Sequence, residues 1–374
     1  MTLSSTTTPA STVATTPTPG EHNAEAGAWP TGSMEAVVIV APGELALQDV
    51  DVPGPAANHV LVRPAYVGLC GTDAQLYKGT SIYLTSGMKK YPFVFGHEWS
   101  GTVVAVPQDD NSGYRPGDHV VGHPFITCDV CPACRRGRRN LCTRRSEMGV
   151  HGAYPGAASQ FASVPAKVLT RLPDSLPFAD AAMIEPSVTA VQALERTRCG
   201  YSDRVAVIGT GTLGLVAVQV AAGMGAQVDA IGVEEAGLQL AAQLGAARAL
   251  RPEEVLADHY TVVVEASGAP TATGMALEIT EPGGRIALVG VAHRPVDSLP
   301  IALAVLKDLE VHGVLHGIDR YDQTVRLVEQ GTITPSALVD EIFPYTAAEE
   351  AFQRLLSPGR AKPKVLLRFN DSDR

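Results

Sequence analysis

The chain has 374 residues, which is long for one ordinary domain and enough for two, each with its own hydrophobic core. Its 39 acidic and 29 basic residues leave a net charge of −10, so we expect no nucleic-acid partner. The longest apolar runs are far shorter than the roughly 18 residues of a membrane-spanning helix, so we also expect no membrane partner and a soluble protein.

Residues 1–33 are rich in Thr, Ser, Pro and Ala, contain no Lys or Arg, and hold no apolar core segment. Such a composition predicts a disordered tail. From Ala36 onward, short β-type runs broken by Gly and Pro predict a strand-rich region. The predicted strands are Ala36–Val40, Val60–Val67, Trp99–Val106, His119–Val121 and Gln160–Val164.

After Glu185 strand and helix patterns alternate, which predicts right-handed βαβ units and an α/β domain with a doubly wound parallel sheet. Its predicted strands are Val205–Ile208, Val228–Ile231, Val262–Glu265, Ile286–Val289 and Val311–Leu315, with helices that begin near Thr212, Glu235 and Pro270. Two more helices and a last strand then predict a return to the first domain: Asp319–Gln330, Ala347–Leu356 and Lys364–Phe369. We therefore expect two domains. Residues 34–186 and 318–374 form the strand-rich domain, and residues 187–317 form the α/β domain.

A strand that runs straight into a glycine-rich turn carries a dinucleotide signal. In Val205-Ala-Val-Ile-Gly-Thr-Gly-Thr-Leu-Gly214 the glycines lie between this strand and an apolar helix. Gly209 allows the tight turn, Gly211 lets the backbone approach a pyrophosphate, and Gly214 lets the helix pack on the strand. Thr212 and Leu213 begin the helix, whose free N–H groups would bind phosphates. The alternative is a glycine-rich turn without a ligand.

The second strand of such a fold often ends in an acidic residue that binds the adenosine ribose. Here that position is Gly232, which has no side chain for the purpose. No Arg or Lys follows to receive a 2′-phosphate, whereas Glu234 and Glu235 come next and would repel one. We therefore expect NAD to be favoured over NADP.

Four of the six cysteines crowd into one short stretch: Cys128, Cys131, Cys134 and Cys142. This is metal spacing rather than a disulfide framework, which suits a reducing, cytoplasmic location. Four thiolates close the coordination shell of a zinc ion, so we expect a structural zinc. A redox dithiol or a nucleic-acid zinc ribbon is the alternative, because arginines lie inside the loop.

A second set of metal-ligand types is spread along the chain: Cys70, His97, Glu98 and Glu185. Three such ligands plus water or substrate make an open, catalytic zinc site. Taken singly, each has another interpretation, since a lone His is usually a hydrogen-bonded core residue and a lone Cys a small hydrophobe. Their occurrence together with a dinucleotide motif and a four-cysteine loop favours the metal site, with two zinc ions per subunit.

From about Met34 to Phe369 the chain resembles the zinc-containing medium-chain dehydrogenase/reductase family, whose fold pairs a GroES-like catalytic domain with a Rossmann domain. The segments Gly96-His-Glu98 and Ala182-Met-Ile-Glu-Pro186 resemble its sorbitol, threonine and polyol dehydrogenase branch. The resemblance implies Cys70 and His97 as zinc ligands, with either Glu185 or Glu98 as the third. It also implies further roles: Thr72 hydrogen-bonds the reacting alcohol and starts a proton relay, Asp73 supports the metal site, and Ser267, Gly268, Val289, Gly290 and Val291 contact the cofactor.

The expected activity is hydride transfer between a secondary alcohol and a nicotinamide cofactor. The branch implies a polar alcohol or ketone, such as a polyol, sugar, cyclitol or aminocyclitol, and a homodimer or homotetramer. The Arg-, Ala- and Gly-rich composition, typical of high-GC bacteria, adds the expectation of a specialised pathway such as antibiotic biosynthesis. The alternatives are a threonine or other amino-alcohol dehydrogenase, a zinc-free quinone or enoyl reductase on the same fold, and a dinucleotide sensor without chemistry.

Overall fold

Two large β-sheets organise the chain. The computed structural model describes residues 28–109, 111–292 and 298–370. Its strands, in chain order, are β1 (Ser33–Ala41), β2 (Glu44–Asp51), β3 (His59–Leu69), β4 (Phe93–Val94), β5 (Glu98–Ala105), β6 (His119–Gly122), β7 (Phe125–Ile126), β8 (Ser146–Glu147), β9 (Ala162–Pro165), β10 (Leu169–Arg171), β11 (Arg204–Ile208), β12 (Gln227–Ile231), β13 (Arg248–Leu250), β14 (Tyr260–Glu265), β15 (Thr280–Leu288), β16 (Glu310–Gly313), β17 (Val339–Pro344) and β18 (Lys364–Arg368).

The helices are also numbered in chain order. They are α1 (Gly71–Lys78), α2 (Ile82–Thr85), α3 (Pro132–Arg135), α4 (Phe178–Ala181), α5 (Ile184–Arg196), α6 (Thr212–Gly223), α7 (Glu235–Gln243), α8 (Ala272–Ile279), α9 (Ala302–Leu306), α10 (Tyr321–Glu329) and α11 (Ala348–Leu356). Short 3₁₀ turns connect several of them, including Pro252–Glu254 after β13.

The first sheet has seven strands, in the order β10-β6-β5-β3-β18-β17, with β9 also paired to β3. Most of its neighbours run antiparallel, and β17 and β18 run parallel to each other. Strand β18 comes from the end of the chain and pairs with β3, which places the last strand beside residues near the start. The predicted return of the chain to the first sheet matches this pairing.

The second sheet has six parallel strands, in the order β13-β12-β11-β14-β15-β16. Its strand β11 lies between β12 and β14, and Ile208 is in register with Ile231 on one side and Glu265 on the other. The strand order reverses at β11, so the loops that follow these three strands meet at the crevice where such sheets bind ligands. The predicted doubly wound parallel sheet is confirmed.

The described part of the chain begins inside the segment predicted to be a tail. Residues 1–27 lie outside the described residues. Trp29 packs with Met34, Leu61 and Phe161, and its indole N–H donates to the backbone oxygen of Pro53 at 2.8 Å. The prediction of a disordered tail is therefore wrong at Trp29, which packs against the first domain. The expected domain boundary after residue 186 falls inside helix α5. None of the helices in the described ranges is long and apolar enough to cross a membrane.

Candidate active site

The first candidate ligand, Cys70, lies at the junction between β3 and α1. It caps the helix: its sulfur accepts the backbone N–H of Thr72 at 3.3 Å, and Asp73 Oδ2 accepts the backbone N–H of Cys70 at 3.0 Å. This reciprocal pair satisfies two of the N–H groups that every helix start leaves unpaired. The Cys-Gly-Thr-Asp sequence therefore fixes the thiol, the Thr72 side chain and the Asp73 carboxylate around one helix end.

His97 approaches this helix end from the segment before β5. The residue before it, Gly96, has φ +97°, and a Cβ there would lie 2.8 Å from Val67 Cγ1, so only glycine fits. Buried His97 places Nδ1 3.4 Å from Asp73 Oδ1. Burial lowers the pKa of His97, but Asp73 and Cys70 together raise it well above its usual value. Asp73 Oδ1 thus faces the Nδ1 edge of the ring, although neither atom has a hydrogen-bond partner among the described residues. This leaves Nε2 available for a metal.

These three side chains form a compact donor set. The polar atoms of Cys70, Asp73 and His97 all lie within 4.8 Å of one another. Thiol sulfur and imidazole nitrogen are ligands that zinc prefers, and a carboxylate on the far ring nitrogen is the usual support for a metal-bound histidine. The chemistry of the set therefore fits a zinc ion between Cys70 and His97, with Asp73 behind.

Glu98 begins β5 opposite Gly68, and its carboxylate has a buried partner that the sequence did not suggest. Its Oε2 lies 2.5 Å from Lys364 Nζ, and each of the two residues is only 2% exposed. Lys364 also donates to the backbone oxygen of Leu69 at 3.2 Å. Burial lowers the pKa of Lys364, but the facing Glu98 carboxylate and more distant anions raise it above its usual value. The two groups therefore form a charged pair within the core.

Glu185 lies on the first turn of α5, outside the group of donor atoms that Cys70, Asp73 and His97 form within 4.8 Å of one another. Its Oε1 lies 3.2 Å from Nε2 of His316, and both residues are buried. His316 follows β16, about 130 residues further along the chain. Its other nitrogen, Nδ1, has no hydrogen-bond partner among the described residues. The carboxylates of Glu98 and Glu185 are close enough to influence each other electrostatically.

Two more buried polar rings line this side of the site. The ring of Tyr321 lies 5.6 Å from that of His123 and 6.1 Å from that of His316. Burial raises the pKa of Tyr321 well above its usual value, and the charges of Glu185 and Glu98 add to that effect. Burial, followed by repulsion from His316, lowers the pKa of His123 to about 3. Tyr321 is therefore a neutral phenol and His123 a neutral imidazole at pH 7.

The four clustered cysteines converge on one point around α3. Their sulfur atoms lie 3.5 Å (Cys131 and Cys134), 4.0 Å (Cys131 and Cys142) and 3.5 Å (Cys142 and Cys128) apart. Sulfurs bound to a tetrahedral zinc at about 2.3 Å would be separated by about 3.8 Å. Hydrogen bonds from the backbone of Cys134 and Thr143 lower the pKa of Cys131, whereas burial and the neighbouring thiols raise the pKa of Cys134. The loop fits a zinc ion in a closed shell.

The glycine-rich turn follows β11 at the carboxyl edge of the parallel sheet. Gly209 has φ +107°, and a Cβ there would lie 2.9 Å from the backbone nitrogen of Ser267. A Cβ at Gly214 would lie 1.8 Å from Gly209 O, whereas nothing lies within 4 Å of one at Gly211. Gly211 thus faces open space at the start of α6, where Thr212 and Leu213 begin the helix. This is a cradle for a phosphate group.

The loops after β14 and β15 lie beside this turn. Buried Glu265 accepts hydrogen bonds at Oε1 from Ser267 N (2.7 Å), Ser267 Oγ (2.7 Å) and Gly268 N (2.8 Å). A Cβ on Gly290 would lie 2.2 Å from Gly268 N, so the two loops touch through their glycines. Val289 is buried and Val291 is exposed. Glu265 is a support for this edge that the sequence motif did not suggest.

At the end of β12, Gly232 allows close packing. A Cβ there would lie 2.9 Å from the Thr210 side chain. Glu234 precedes α7 as its N-cap residue, and both Glu234 and Glu235 are exposed. A basic side chain is also present, in contrast to the expectation from chain order: Arg251 donates to Glu235 Oε2 at 3.0 Å. It comes from the neighbouring strand, which a search along the chain after Gly232 does not reach.

Comparison with known proteins agrees with this geometry. The family described as "Alcohol dehydrogenase GroES-like domain" matches residues 56–174, and the one described as "Zinc-binding dehydrogenase" matches residues 212–330. Sorbitol dehydrogenase of Gallus gallus is 31% identical over 86% of this chain and 93% of its own length. L-threonine 3-dehydrogenase of Pectobacterium atrosepticum is 30% identical over 91% of this chain and 95% of its own length.

The chain belongs to the zinc-containing medium-chain dehydrogenase/reductase family. Within that family it belongs to the polyol dehydrogenase branch, as the Gly-His-Glu and Glu-Pro segments predicted. The expected pairing of a GroES-like domain with a Rossmann domain is likewise confirmed.

Solved structures of the family include complexes with both nicotinamide cofactors. RspB of Escherichia coli CFT073, solved with NADH, has a TM-score of 0.82 and 27% identity over 90% of this chain and 99% of that one. A zinc-binding dehydrogenase from Sinorhizobium meliloti 1021, solved with NADP, has a TM-score of 0.83 and 25% identity over 90% of this chain and 100% of that one. The family therefore uses either cofactor.

Proposed function

We propose that this protein is a zinc-dependent dehydrogenase that oxidises a secondary alcohol of the polyol, sugar, cyclitol or aminocyclitol type, or reduces the matching ketone. The observation that carries the proposal is the convergence of Cys70, His97 and Asp73 within 4.8 Å, in a chain that also has the Gly209–Gly214 turn. A thiol and an imidazole with a buried carboxylate beside the ring form an open metal site. The turn binds the nicotinamide cofactor. We assign residues 34–186 and 318–374 to the catalytic domain and 187–317 to the dinucleotide-binding domain.

We assign Cys70, His97 and Glu185 to the catalytic zinc. Glu185 is preferred to Glu98 because the Glu98 carboxylate already has a buried ammonium group at 2.5 Å, whereas Glu185 faces the imidazole of His316. A carboxylate without a fixed cation keeps more of its charge for a metal. Glu98 then acts behind the site, as a charged neighbour of the ligands. The structural zinc belongs to the four clustered cysteines.

In this proposal, zinc is a Lewis acid for the alcohol oxygen and the nicotinamide ring is the hydride acceptor. The chain contributes position and a proton path. Thr72 is half-buried beside the Cys70 sulfur, where its hydroxyl would accept the proton that leaves the substrate alcohol and pass its own proton to water. Asp73 orients His97, and the N–H groups after Gly211 hold the pyrophosphate. Ser267 and the segment 289–291 would contact the cofactor.

We propose NAD as the favoured cofactor. Glu234 stands exposed at the end of β12, where it would repel a 2′-phosphate, and Glu235 occupies the nearby guanidinium of Arg251. Screening polyols, cyclitols and amino-sugar alcohols with NAD and NADP, by absorbance at 340 nm, tests both the reaction class and this preference. Failure of every alcohol with both cofactors would count against the proposal.

Metal analysis separates this function from its rivals. Two zinc ions per subunit in the purified protein, and one in a Cys70→Ala variant, are expected of the dehydrogenase. A zinc-free type of quinone or enoyl reductase, or a dinucleotide sensor, would hold one zinc before and after the substitution. Threonine, tested beside the polyols, distinguishes an amino-alcohol dehydrogenase.

We also propose that the protein is a homodimer, or a tetramer built from dimers. Strand β16 is the edge of the parallel sheet, and the neighbouring helix α9 exposes apolar side chains: Val305 is 81% and Leu306 80% exposed. An unpaired strand edge beside exposed apolar groups favours pairing with a second copy of the same surface. A cytoplasmic location and a role in a specialised pathway stay predictions from the sequence.

A further inference from the structure

The end of strand β12 and the end of strand β13 lie side by side at the carboxyl edge of the parallel sheet. Ile231 is in register with Leu250, and the backbone N–H of Gly232 donates to Leu250 O at 3.0 Å. Arg251 is therefore the next residue on the neighbouring strand, beside Gly232. In folds of this type the adenosine ribose lies at this strand end.

The guanidinium of Arg251 reaches across this strand end. Its Nη1 donates to Val233 O at 3.1 Å, and its Nη2 donates to Glu235 Oε2 at 3.0 Å. Its own backbone N–H donates to Glu254 Oε2 at 2.6 Å, which fixes the start of the turn after β13. The side chains of Arg251 and Glu235 are 43% and 65% exposed. The guanidinium is thus anchored by backbone on one side and shared with an exposed carboxylate on the other.

We propose that Arg251 is the specificity-determining residue for the cofactor, and that Glu235 competes with a 2′-phosphate for its guanidinium. This inference rests on the proposed function. With NAD, the ribose hydroxyls would lie next to the Arg251–Glu235 ion pair, which has no net charge and stays intact. With NADP, the 2′-phosphate must take the place of Glu235. An arginine fork binds phosphate through two parallel hydrogen bonds, which a carboxylate can also accept, so the two anions are direct rivals.

The strength of the competition follows from exposure. An ion pair between solvent-exposed groups changes an equilibrium by about fivefold at most. Glu235 can therefore reduce the binding of a 2′-phosphate without preventing it. Hydrogen bonds to charged groups are worth about tenfold or more, so loss of the guanidinium should weaken 2′-phosphate binding by more than loss of Glu235 strengthens it.

The test compares two ligands that differ only in the 2′-phosphate and cannot take part in hydride transfer: ADP-ribose and 2′-phospho-ADP-ribose. Isothermal titration calorimetry of the full zinc-loaded protein gives the ratio of their dissociation constants. Arg251→Gln should shift this ratio against the phosphorylated ligand by about tenfold or more. Glu235→Gln should shift it in favour of that ligand by about twofold to fivefold. ADP-ribose affinity should change by less than about threefold in both. Glu329→Gln and Arg136→Gln remove the same charges from exposed positions elsewhere and should leave the ratio unchanged.

The outcomes distinguish a failure of the Arg251 specificity role from a failure of the proposed dinucleotide site. If ADP-ribose binds the wild-type protein and Arg251→Gln weakens both ligands equally, Arg251 contacts another part of the nucleotide and the specificity role is refuted. If Glu235→Gln leaves the ratio unchanged, Glu235 is not a competitor and the proposal is likewise overturned. If neither ligand binds the wild-type protein, the proposed dinucleotide site itself fails. Circular dichroism and melting of each variant identify any that do not fold, and Arg251→Lys, which keeps charge but loses the fork, should then show an intermediate ratio.

Discussion

The buried pair between Glu98 and Lys364 gives the sharpest test of the site's architecture. In Lys364→Met the side chain keeps its length and loses its charge, while Glu98, 2% exposed, keeps a carboxylate without its cation. Removing one partner of a buried ion pair costs about 3 to 5 kcal/mol, because the charge that is left cannot be solvated. The loss of melting temperature should therefore be at least about 6 °C for a domain of this size.

Differential scanning calorimetry of four variants isolates the cause. Glu98→Gln with Lys364→Met removes both charges, so the double variant should melt above Lys364→Met alone, which is non-additive behaviour expected of a direct pair. Lys167→Met is the matched control, because Lys167 Nζ also lies 2.5 Å from a carboxylate, Asp129 Oδ2, but both side chains are 43% exposed. That substitution should cost less than about 1 kcal/mol.

Two results would refute the reasoning. One is a Lys364→Met protein that melts within about 2 °C of wild type, or no lower than Lys167→Met. The other is a double variant that loses the full sum of the two single losses.

Four further predictions address the chemistry, the metal, the pH response and the assembly. Thr72→Val should lower kcat by about 10² to 10⁴ at unchanged zinc content, because the shape is kept and the proton acceptor is lost; turnover within threefold of wild type would place the relay elsewhere. Cys131→Ser should lose the structural zinc and lower yield and melting temperature, since that metal is coupled to folding; unchanged values would contradict a closed zinc shell. His123 has a pKa of about 3 when folded and near 6.5 when unfolded, so its contribution to stability is complete above pH 6.5 and falls by about 1.4 kcal/mol per pH unit below it. His123→Gln should therefore lose less melting temperature than wild type between pH 7.5 and pH 5, and an equal loss would show that another group controls the acid response. Val305→Asp should halve the mass seen by analytical ultracentrifugation, whereas Met88→Asp, at another exposed apolar position, should not; a Val305→Asp protein that keeps the wild-type mass would move the interface elsewhere.

Local patterns were sufficient for much of the fold. The run Val205–Ile208, followed by closely spaced glycines, marks a strand, a turn and a helix within a few residues, and the structure has all three. The spacing of the four cysteines in the chain was enough to predict that they form a cluster. These features depend on neighbours in the chain, so periodicity and spacing carry the information.

The site residues that could not be predicted from the sequence are those that pairing between distant strands brings to the site. Lys364 enters only because β18 pairs with β3, and Arg251 enters because β13 lies beside β12. Glu98 and Glu185 look equally suited to zinc in the sequence, since each follows a recognisable motif. Their partners, Lys364 and His316, are what distinguish them, and neither partner has a local signature beyond a polar residue next to an apolar run.

The pairing of Lys364 with Glu98 has a consequence for the order in which the newly made chain completes its two candidate metal sites. The cation that faces Glu98 comes 266 residues later in the chain, so during synthesis the neighbourhood of His97 cannot be completed until strand β18 has left the ribosome. The four cysteines, in contrast, lie within residues 128–142 and need only their own loop to surround an ion. On the proposed assignment, the nascent protein can therefore bind an ion at the four cysteines well before one at Cys70 and His97. A chain that stops short of β18 would contain the first site without a finished second.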